Sequence, residues 1–235
     1  MKNRKISTFL KRSAQAAGML LFICVLGCGC TGSRTSGPLP GWVAEGVVLT
    51  ALSGDTAEIT APGGLTLWYG KRLTGQYEIR YSVCVVMRGG EYDRLSDLNC
   101  FWAANDPLHP ADLFARSSWR DGQFRNYNTL DLFYVGYGGN HNTTTRFRRY
   151  HGAYAGAGEA ENKPVLLEYA DAPHLLEANR WYTVVIRVEE GRTSYSVNGE
   201  ELFAYPLTPG LGDGYFGLRL LQNRVLFTGF RVAAL

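Results

Sequence analysis

The residues best suited to chemistry are concentrated between Asn126 and Tyr150. Five Tyr or Phe rings lie between Phe133 and Tyr150, and the wider stretch also holds one His, three Arg and four Asn. Aromatic rings stack on sugar rings, amides hydrogen-bond to hydroxyl groups, and guanidinium groups bind carboxylates. This combination predicts a carbohydrate-binding surface on which Tyr or His can also transfer protons.

One chemistry that these residues support is β-elimination on a uronic acid. The reaction needs a group that neutralises the sugar carboxylate, a base that removes the proton at C5, and an acid that protonates the leaving oxygen. We predict His141 or Tyr137 as the base and Tyr134 or Tyr137 as the acid. Arg146, together with Asn140, is the predicted neutralising group.

Further substrate-binding candidates flank this set. They are polar or aromatic side chains of the same stretch or of the apolar strand before it: Asn142, Arg148, Asp131, Asn99 and Trp102. A glycoside hydrolase would need two carboxylic acids across the scissile bond, and the central stretch offers only Asp131. The simpler alternatives are a solvated arginine face, Tyr rings that pack with a hydrated hydroxyl, and a loop histidine without a role.

The same stretch is predicted to be a β-hairpin. Thr129 to Tyr137 is rich in aromatic and β-branched residues, and Gly138-Gly139-Asn140 accepts the positive φ of a chain reversal. Asn142 to Tyr150 then runs back. Along this return strand Arg146 and Arg148 share one face because side chains alternate, but the pattern leaves open which face lines a groove.

Short strand patterns follow one another along most of the chain. Gln76 to Met87 alternates apolar and polar residues, as is typical of a half-buried antiparallel strand. Three predicted strands lie near the end of the chain: Trp181 to Val188, Thr193 to Val197 and Glu200 to Tyr205. The last two are separated by Asn198-Gly199, the strongest short-range hairpin signal. With roughly twelve such strands and almost no helix, the sequence predicts an all-β fold, a two-sheet antiparallel sandwich or jelly roll.

Breaks in the pattern are predicted to separate strands. Pro62-Gly63-Gly64 divides Ala57–Thr60 from Leu65–Tyr69, and Gly214–Leu220 with Val225–Val232 is the predicted last strand pair. Two further segments carry little strand pattern. Leu108 to Gln123 is expected to be irregular with one helical turn near Pro110, and the Gly/Ala-rich stretch from His151 to Lys163 is expected to be a mobile loop.

The N-terminus has the pattern of a targeting segment. Basic residues precede an apolar run from Ala16 to Gly27, which is too short to span a bilayer. Val25-Leu26-Gly27-Cys28 resembles a bacterial lipobox, in which the Cys28 thiol is lipidated and the residue becomes N-terminal after cleavage. An ordinary secretory signal cut near Gly32 is the alternative.

These features predict a lipoprotein signal peptide over 1–27, a flexible tether over 28–40 and one domain over 41–235. Loss of the five basic leader residues turns the formal net charge of +3 into −2, so composition does not favour a nucleic-acid partner. We predict a monomer in the cell envelope, attached to a bacterial membrane through its lipid alone, on the periplasmic side or at the cell surface.

The cysteines and acidic loops indicate no cofactor. Cys84 and Cys100 match no zinc pattern and are predicted to be two buried thiols, with a disulfide as the alternative in an oxidising compartment. The turn at Asn105-Asp106 is the segment that could hold a structural Ca²⁺.

The closing strands carry a resemblance at the level of the fold. The motifs are Tyr182-Thr-Val-Val-Ile-Arg-Val, Val197-Asn-Gly-Glu, Gly214-Tyr-Phe-Gly-Leu-Arg and Phe227-Thr-Gly-Phe-Arg-Val. They resemble the concanavalin A-like, laminin-G-like jelly rolls of carbohydrate-active proteins. Many families share this pattern, so it implies a fold more than a function.

Three further motifs resemble a single family. They are Asp97-Leu-Asn-Cys-Phe-Trp-Ala, residues 134–150 and Leu175-Leu-Glu-Ala-Asn, and the resemblance, to a bacterial domain family of unassigned function, covers about residues 45–235. Its members are typically exported by polysaccharide-degrading bacteria and are loosely described as sugar hydrolases or lyases. The resemblance therefore implies an exported protein that acts on polysaccharide. We expect an acidic-glycan lyase ahead of a glycoside hydrolase, with a non-catalytic glycan-binding module and a structural envelope lipoprotein as alternatives.

Overall fold

The computed structural model describes residues 34–235. The predicted signal peptide, the lipidation of Cys28 and the first part of the tether lie outside the described residues. Within residues 34–235, no helix has both the length and the apolar composition that crossing a membrane requires.

Strands account for most of the described chain. They are β1 (Arg34–Ser36), β2 (Trp42–Glu45), β3 (Leu49–Ser53), β4 (Thr56–Tyr69), β5 (Tyr77–Val85), β6 (Leu98–Asn105), β7 (Asp131–Gly138), β8 (Thr144–Tyr150), β9 (Val165–Tyr169), β10 (Trp181–Glu189), β11 (Arg192–Val197), β12 (Glu200–Pro206) and β13 (Tyr215–Ala234). Three four-residue segments, α1 (Ser117–Arg120), α2 (Gly139–Asn142) and α3 (Glu159–Asn162), lie in the connections. α1 and α3 are helical turns, whereas α2 is a tight turn whose last three residues have positive φ. Short 3₁₀ segments occur at Leu113–Arg116, Phe124–Thr129, Gly152–Tyr154 and Ala172–His174.

The strands form a two-layer antiparallel sandwich of the jelly-roll type, as predicted. Their order is β12-β11-β10-β5-β13-β6-β7-β8-β9, and β4 pairs with β13 along its whole length. The first half of β13 lies between β4 and β6, and its second half lies between β4 and β5. The β4–β13 pair therefore belongs to both layers and joins them.

A bulge explains how this pair passes from one layer to the other. The register between β13 and β4 shifts between Leu221 and Asn223, and Gln222 has a positive φ of 45°. On β4 the same point carries Pro62 and Gly63. A bulge bends a strand without ending its pairing, so β4 and β13 are each one continuous strand. The predictions of two separate strands within β4 and of a closing strand pair within β13 were wrong.

The core between the layers is built from the alternating side chains of both. At one end the Trp102 ring stacks between aromatic neighbours, with centroids 5.4 Å from Phe133, 5.7 Å from Phe147 and 6.2 Å from Tyr195. Its indole nitrogen, buried with the ring, donates a hydrogen bond of 2.9 Å to the Thr193 hydroxyl. This satisfied polar contact fixes the ring orientation within the core.

Both thiols of the domain are free and buried, as predicted. Burial raises the pKa of Cys100 to about 12, because the thiolate has lost its hydration. Cys100 is therefore a packing residue rather than a nucleophile.

A second apolar cluster lies on the outer face of the layer that contains β6 and β7. The segment 106–130 folds over this face and buries Trp68, Phe101 and Tyr127. An ion pair buried on both sides anchors the segment, with Arg120 Nη2 2.6 Å from Glu45 Oε1. The segment is largely irregular, as predicted, but its helical turns lie after Pro110, at Leu113–Arg116 and Ser117–Arg120. Its residues 121–125 form one wall of the groove described below.

Two connections are more ordered than the sequence suggests. β1 lies inside the predicted tether, yet it pairs with β3, and the Thr50 hydroxyl donates a hydrogen bond to the Gly37 carbonyl. In the loop after β8, Asn162 is buried and its amide donates to the carbonyls of Asn128 and His151. Both segments are held by backbone groups, which hydropathy patterns do not register.

Candidate functional site

A groove with two adjoining cavities runs along the outer face of the layer that contains β13, β6, β7 and β8. The larger has a volume of about 590 Å³ and is lined by Gly64, Asp97, Asn99, Asp121, Gly122, Gln123, Phe124, Arg125, Tyr134, Arg219 and Leu221. The smaller, of about 170 Å³, is lined by Asp97, Phe124, Tyr134, Gly136, Gly139, Asn140, Thr144, Arg146, Arg148, Tyr150, Glu159 and Lys163. Because Asp97, Phe124 and Tyr134 line both, the cavities form one continuous site.

Tyr134 lies at the junction of the two cavities. Its ring is only 7% exposed and packs against Phe101, Phe124 and Tyr150, with centroids 5.4, 5.5 and 5.9 Å away. Burial raises the pKa of Tyr134 well above its usual value, so the phenol is neutral at neutral pH. No hydrogen-bond partner for its hydroxyl lies among residues 34–235, which leaves the hydroxyl able to donate to a ligand.

Two cations with little exposure flank the smaller cavity. The Arg148 and Lys163 side chains are 12% and 11% exposed. Arg148 Nη1 donates a hydrogen bond of 2.6 Å to the Lys163 carbonyl, while the Lys163 ammonium lies 5.5 Å from the Phe124 ring centre. Arg146, on the same face, pairs with Glu168 at the rim. The arrangement gives this cavity a positive wall.

The larger cavity has a different character. Arg219 is 3% exposed, its Nη1 donates to the Gly122 carbonyl at 2.7 Å, and its guanidinium carbon lies 5.4 Å from the Phe124 ring centre. Burial lowers the pKa of Arg219, although an arginine keeps its charge. Asn99 is 4% exposed, and its Oδ1 has no hydrogen-bond partner among residues 34–235. A buried acceptor of this kind suits a ligand hydroxyl.

Asp97 is the carboxylate that lines both cavities. It adopts a positive φ of 61°, which is uncommon outside glycine. Its oxygens accept hydrogen bonds from Ser96 Oγ at 2.8 Å, Arg94 Nη1 at 2.9 Å and Asn99 Nδ2 at 3.2 Å. A strained residue held by several bonds is a feature of functional sites. We had not predicted Asp97, Arg219, Phe124 or Lys163 as site residues.

For two of these residues a signal was present in the sequence. Asp97 begins one of the motifs that carry the family resemblance, and Arg219 is a single charge between Gly217 and Leu221 in an apolar strand. Phe124 and Lys163 lie in irregular segments, where no periodicity indicates a face. Only the packing of those segments against the sheet brings them to the groove.

The central hairpin forms as predicted, from β7, the α2 turn and β8. Of the predicted site residues, the groove brings together Tyr134, Arg146, Arg148, Asn140 and Asn99. Strand parity explains all of these except Asn140, which lies in the α2 turn, because residues two apart share a face and those paired across strands lie beside each other, as Tyr134 does with Arg148.

Tyr137 and Trp102 are not part of the groove, and their assignments are corrected. Tyr137 lies three positions after Tyr134 and so faces the opposite side of the sheet. It is 3% exposed in the core, 5.4 Å from the Tyr182 ring, and burial raises its pKa. Trp102 faces the same core, so neither side chain can reach a ligand in the groove.

Three other predicted residues line neither cavity. His141 is exposed at the hairpin tip, where Asn140, His141 and Asn142 have φ values of 52°, 59° and 59°. The Asn142 amide exchanges two hydrogen bonds with the backbone of Leu176, at 2.9 and 2.8 Å. Asp131 accepts a hydrogen bond of 2.9 Å from the Gly152 N–H. The latter two are structural, and the histidine lines neither cavity, so the structure does not support it as the predicted base.

The structure does not favour the predicted calcium position. Asn105 Oδ1 accepts from Arg72 Nη1, and Asp106 Oδ2 lies 3.6 Å from Arg120 Nη1, so these oxygens already face cations of the protein. Within residues 34–235 there is no group of three or more His, Cys, Asp or Glu side chains that could hold a metal ion.

Several solved structures share the fold of this chain. A protein of unknown function with a galectin-like fold from Bacillus subtilis has a TM-score of 0.57 and 16% identity, with 86% of this chain and 98% of that chain covered. The carbohydrate-binding module CBM66 from Bacillus subtilis has a TM-score of 0.52 and 11% identity, with 83% and 96% covered. The exoplasmic domain of VIP36, in a form bound to Ca²⁺ and Man3GlcNAc, has a TM-score of 0.52 and 13% identity, with 83% and 84% covered. At these identities the likeness concerns the fold alone.

The predicted family is also found. No curated protein matches the chain. Residues 59–230 match a family described as a domain of unknown function, DUF6250, and this segment contains the whole groove. The chain therefore belongs to the DUF6250 family.

Proposed function

We propose that this chain is a carbohydrate-active protein whose groove binds a polysaccharide that carries carboxylate groups. The observation that carries the proposal is the pairing of two nearly buried cations, Arg148 and Lys163, with an exposed aromatic ring, Phe124, in one cavity. Cations with so little hydration are stabilised by an anion. An accessible ring beside them suits the apolar face of a sugar.

The larger cavity extends this binding surface. Its volume of about 590 Å³ lies within the range of small-ligand sites. Asn99 and Tyr134 offer an acceptor and a donor for hydroxyl groups there. CBM66 is a carbohydrate-binding module, and VIP36 was solved with a bound mannose glycan; both share the fold of this chain, which supports the proposal by analogy.

A panel of uronate oligosaccharides, each paired with its carboxyl-reduced counterpart, tests the proposal. Calorimetric titration should show saturable binding of at least one acidic member and binding at least ten-fold weaker for the reduced partner. A charge-assisted hydrogen bond to the carboxylate contributes about 1.5–3 kcal/mol, which corresponds to roughly ten-fold or more in affinity. Equal affinity for both members of every pair, or no binding across the panel, would refute the proposed function.

One observation favours β-elimination as a second candidate function. The neutral Tyr134 hydroxyl has no hydrogen-bond partner among residues 34–235 and lies beside the cations that would neutralise the sugar carboxylate. In such a reaction a base removes the C5 proton, the electron pair forms the C4–C5 double bond, the C4–O bond breaks, and Tyr134 protonates the leaving oxygen. In this proposal Asp97, a carboxylate that lines both cavities, takes the role of base in place of His141.

Ultraviolet absorbance on the same panel separates catalysis from binding. Unsaturated uronate gives a rising signal, which Tyr134→Phe should abolish while binding persists. A flat trace with the wild-type protein would leave binding alone, and release of reducing sugar without absorbance would indicate hydrolysis. A hydrolase would need Asp97 together with a second carboxylate such as Asp121.

The predicted anchoring remains a proposal. If Cys28 carries a lipid, the full chain should partition into detergent, and Cys28→Ala should move it to the aqueous phase. Equal partitioning of the two proteins would refute lipidation at this position.

A further inference from the structure

We propose that Glu159 is an internal counter-ion of the groove, which the carboxylate of the ligand displaces on binding. This inference rests on the proposed function and adds an internal competitor to it. It predicts that Glu159 lowers the affinity of the smaller cavity for carboxylated sugars and leaves the affinity for neutral sugars unchanged, because only a carboxylate replaces the carboxylate that leaves.

The geometry begins with the two cations of the smaller cavity. Glu159 Oε1 lies 3.1 Å from the Lys163 ammonium, and Glu159 Oε2 lies 3.7 Å from Arg148 Nη1. One carboxylate thus faces both cations within the lining of the cavity. A ligand carboxylate that approached Arg148 and Lys163 would have to occupy the same space.

Burial differs sharply between the partners. The Glu159 side chain is 68% exposed, against 12% for Arg148 and 11% for Lys163. The cations are packed against the sheet and the rings around it, with the Lys163 ammonium 5.5 Å from the Phe124 centre and 5.9 Å from the Tyr150 centre. Glu159 can therefore rotate into solvent at little cost, whereas the cations stay in place.

The loop that carries Glu159 does not depend on it for anchorage. Asn162, 1% exposed, donates hydrogen bonds of 2.9 and 3.0 Å to the carbonyls of Asn128 and His151, and His151 N–H donates to the Asn162 carbonyl. Arg148 in turn binds the Lys163 carbonyl at 2.6 Å. The backbone of the loop keeps these contacts when the Glu159 carboxylate leaves.

Glu159→Gln tests the inference, with Glu161→Gln as its control. Both residues lie on α3 and both changes remove one negative charge, but Glu161 forms no ion pair within residues 34–235. An exposed ion pair contributes up to about 1 kcal/mol, so the state in which Glu159 pairs with the cations is about five times as populated as the unpaired state. The apparent affinity for a uronate ligand is reduced in proportion. We expect Glu159→Gln to bind the preferred uronate oligosaccharide about five-fold more tightly, and Glu161→Gln less than two-fold.

The carboxyl-reduced oligosaccharide provides the second readout. Its affinity should be the same for Glu159→Gln and the wild type, because a neutral sugar does not exchange with Glu159. Unchanged or weaker uronate binding by Glu159→Gln, or an equal gain for the reduced sugar, would overturn the inference while the proposed function stands. Absence of uronate binding by the wild type and both variants would overturn the two together.

Discussion

A methyl group added at Gly136 would test whether the Tyr134 ring is held in place at the junction of the two cavities. A Cβ at this position would lie 2.6 Å from the Tyr134 hydroxyl oxygen, 3.0 Å from Cζ and 3.1 Å from Cε1. These separations are shorter than van der Waals contact, so either the ring or the strand must move. Since three aromatic neighbours pack against the Tyr134 ring, it can move away from the added methyl group only toward the cavities that it lines.

The cost of Gly136→Ala follows from this confinement. Overpacking of a filled site costs about 1–3 kcal/mol, and for a domain of this size each kcal/mol lowers Tm by about 2–4 °C. We expect Tm to fall by roughly 2–12 °C. The displaced ring would also narrow the smaller cavity, so affinity for the uronate ligand should fall at least ten-fold.

Two matched variants make the measurement specific. Gly139→Ala is the same change three residues later, where the nearest atom to the added Cβ would be the Thr144 carbonyl oxygen at 3.8 Å; its Tm should match the wild type within about 2 °C. Tyr134→Phe removes a hydroxyl that has no hydrogen-bond partner in the described part of the chain, so it should be nearly neutral for stability. Because it also removes the closest contact, the double variant should lose less stability than Gly136→Ala alone.

Thermal unfolding of the wild type, Tyr134→Phe, Gly136→Ala and the double variant gives a double-mutant cycle between positions 134 and 136. We expect a coupling free energy of about 0.5 kcal/mol or more in favour of the double variant. If Gly136→Ala were as stable as Gly139→Ala, or if the two changes were additive, the close approach between Gly136 and Tyr134 would be refuted.

Three further predictions follow from other contacts. Arg148→Gln should weaken uronate binding about ten-fold or more by calorimetry, whereas the exposed Arg192→Gln on the other layer should not change it; equal losses would contradict a specific role. Asn162→Ala should cost about 1–3 kcal/mol of unfolding free energy because it leaves the Asn128 and His151 carbonyls without their hydrogen bonds, and amide exchange should accelerate within 151–163 but not in β10. The hydrogen bond from Arg224 lowers the pKa of Asp93 below its usual value, so this carboxylate stabilises the fold above the unfolded-state pKa of about 4, and the gain is lost as the pH falls below it. Urea unfolding of Asp93→Asn should show a smaller dependence on pH in that range, and an unchanged slope would contradict the assignment.

Much of the local structure was determined by the sequence alone. The aromatic, β-branched run before Gly138-Gly139 and the polar, aromatic run after it predicted the β7–β8 hairpin, because turn chemistry and strand propensity are local properties. The Asn198-Gly199 turn followed for the same reason. Alternation also predicted that Arg146 and Arg148 share one face of their strand. Local bending was harder to infer: Pro62-Gly63-Gly64 indicated a break, but the same residues can end a strand or form a bulge within it.

The tertiary structure decided which of the two hairpin faces became the groove. Both faces carry Tyr and Arg, so Tyr134 and Tyr137 have equal claims in the sequence, and only the second layer packing over Tyr137 distinguishes them. Asp97, Phe124, Lys163 and Arg219 reach the same groove from segments far apart in the chain. Their convergence depends on the 106–130 segment folding over the sheet and on the bent β4–β13 pair. Such long-range packing selects among faces that local propensity leaves equivalent, because burial is a property of the assembled layers and not of any single strand.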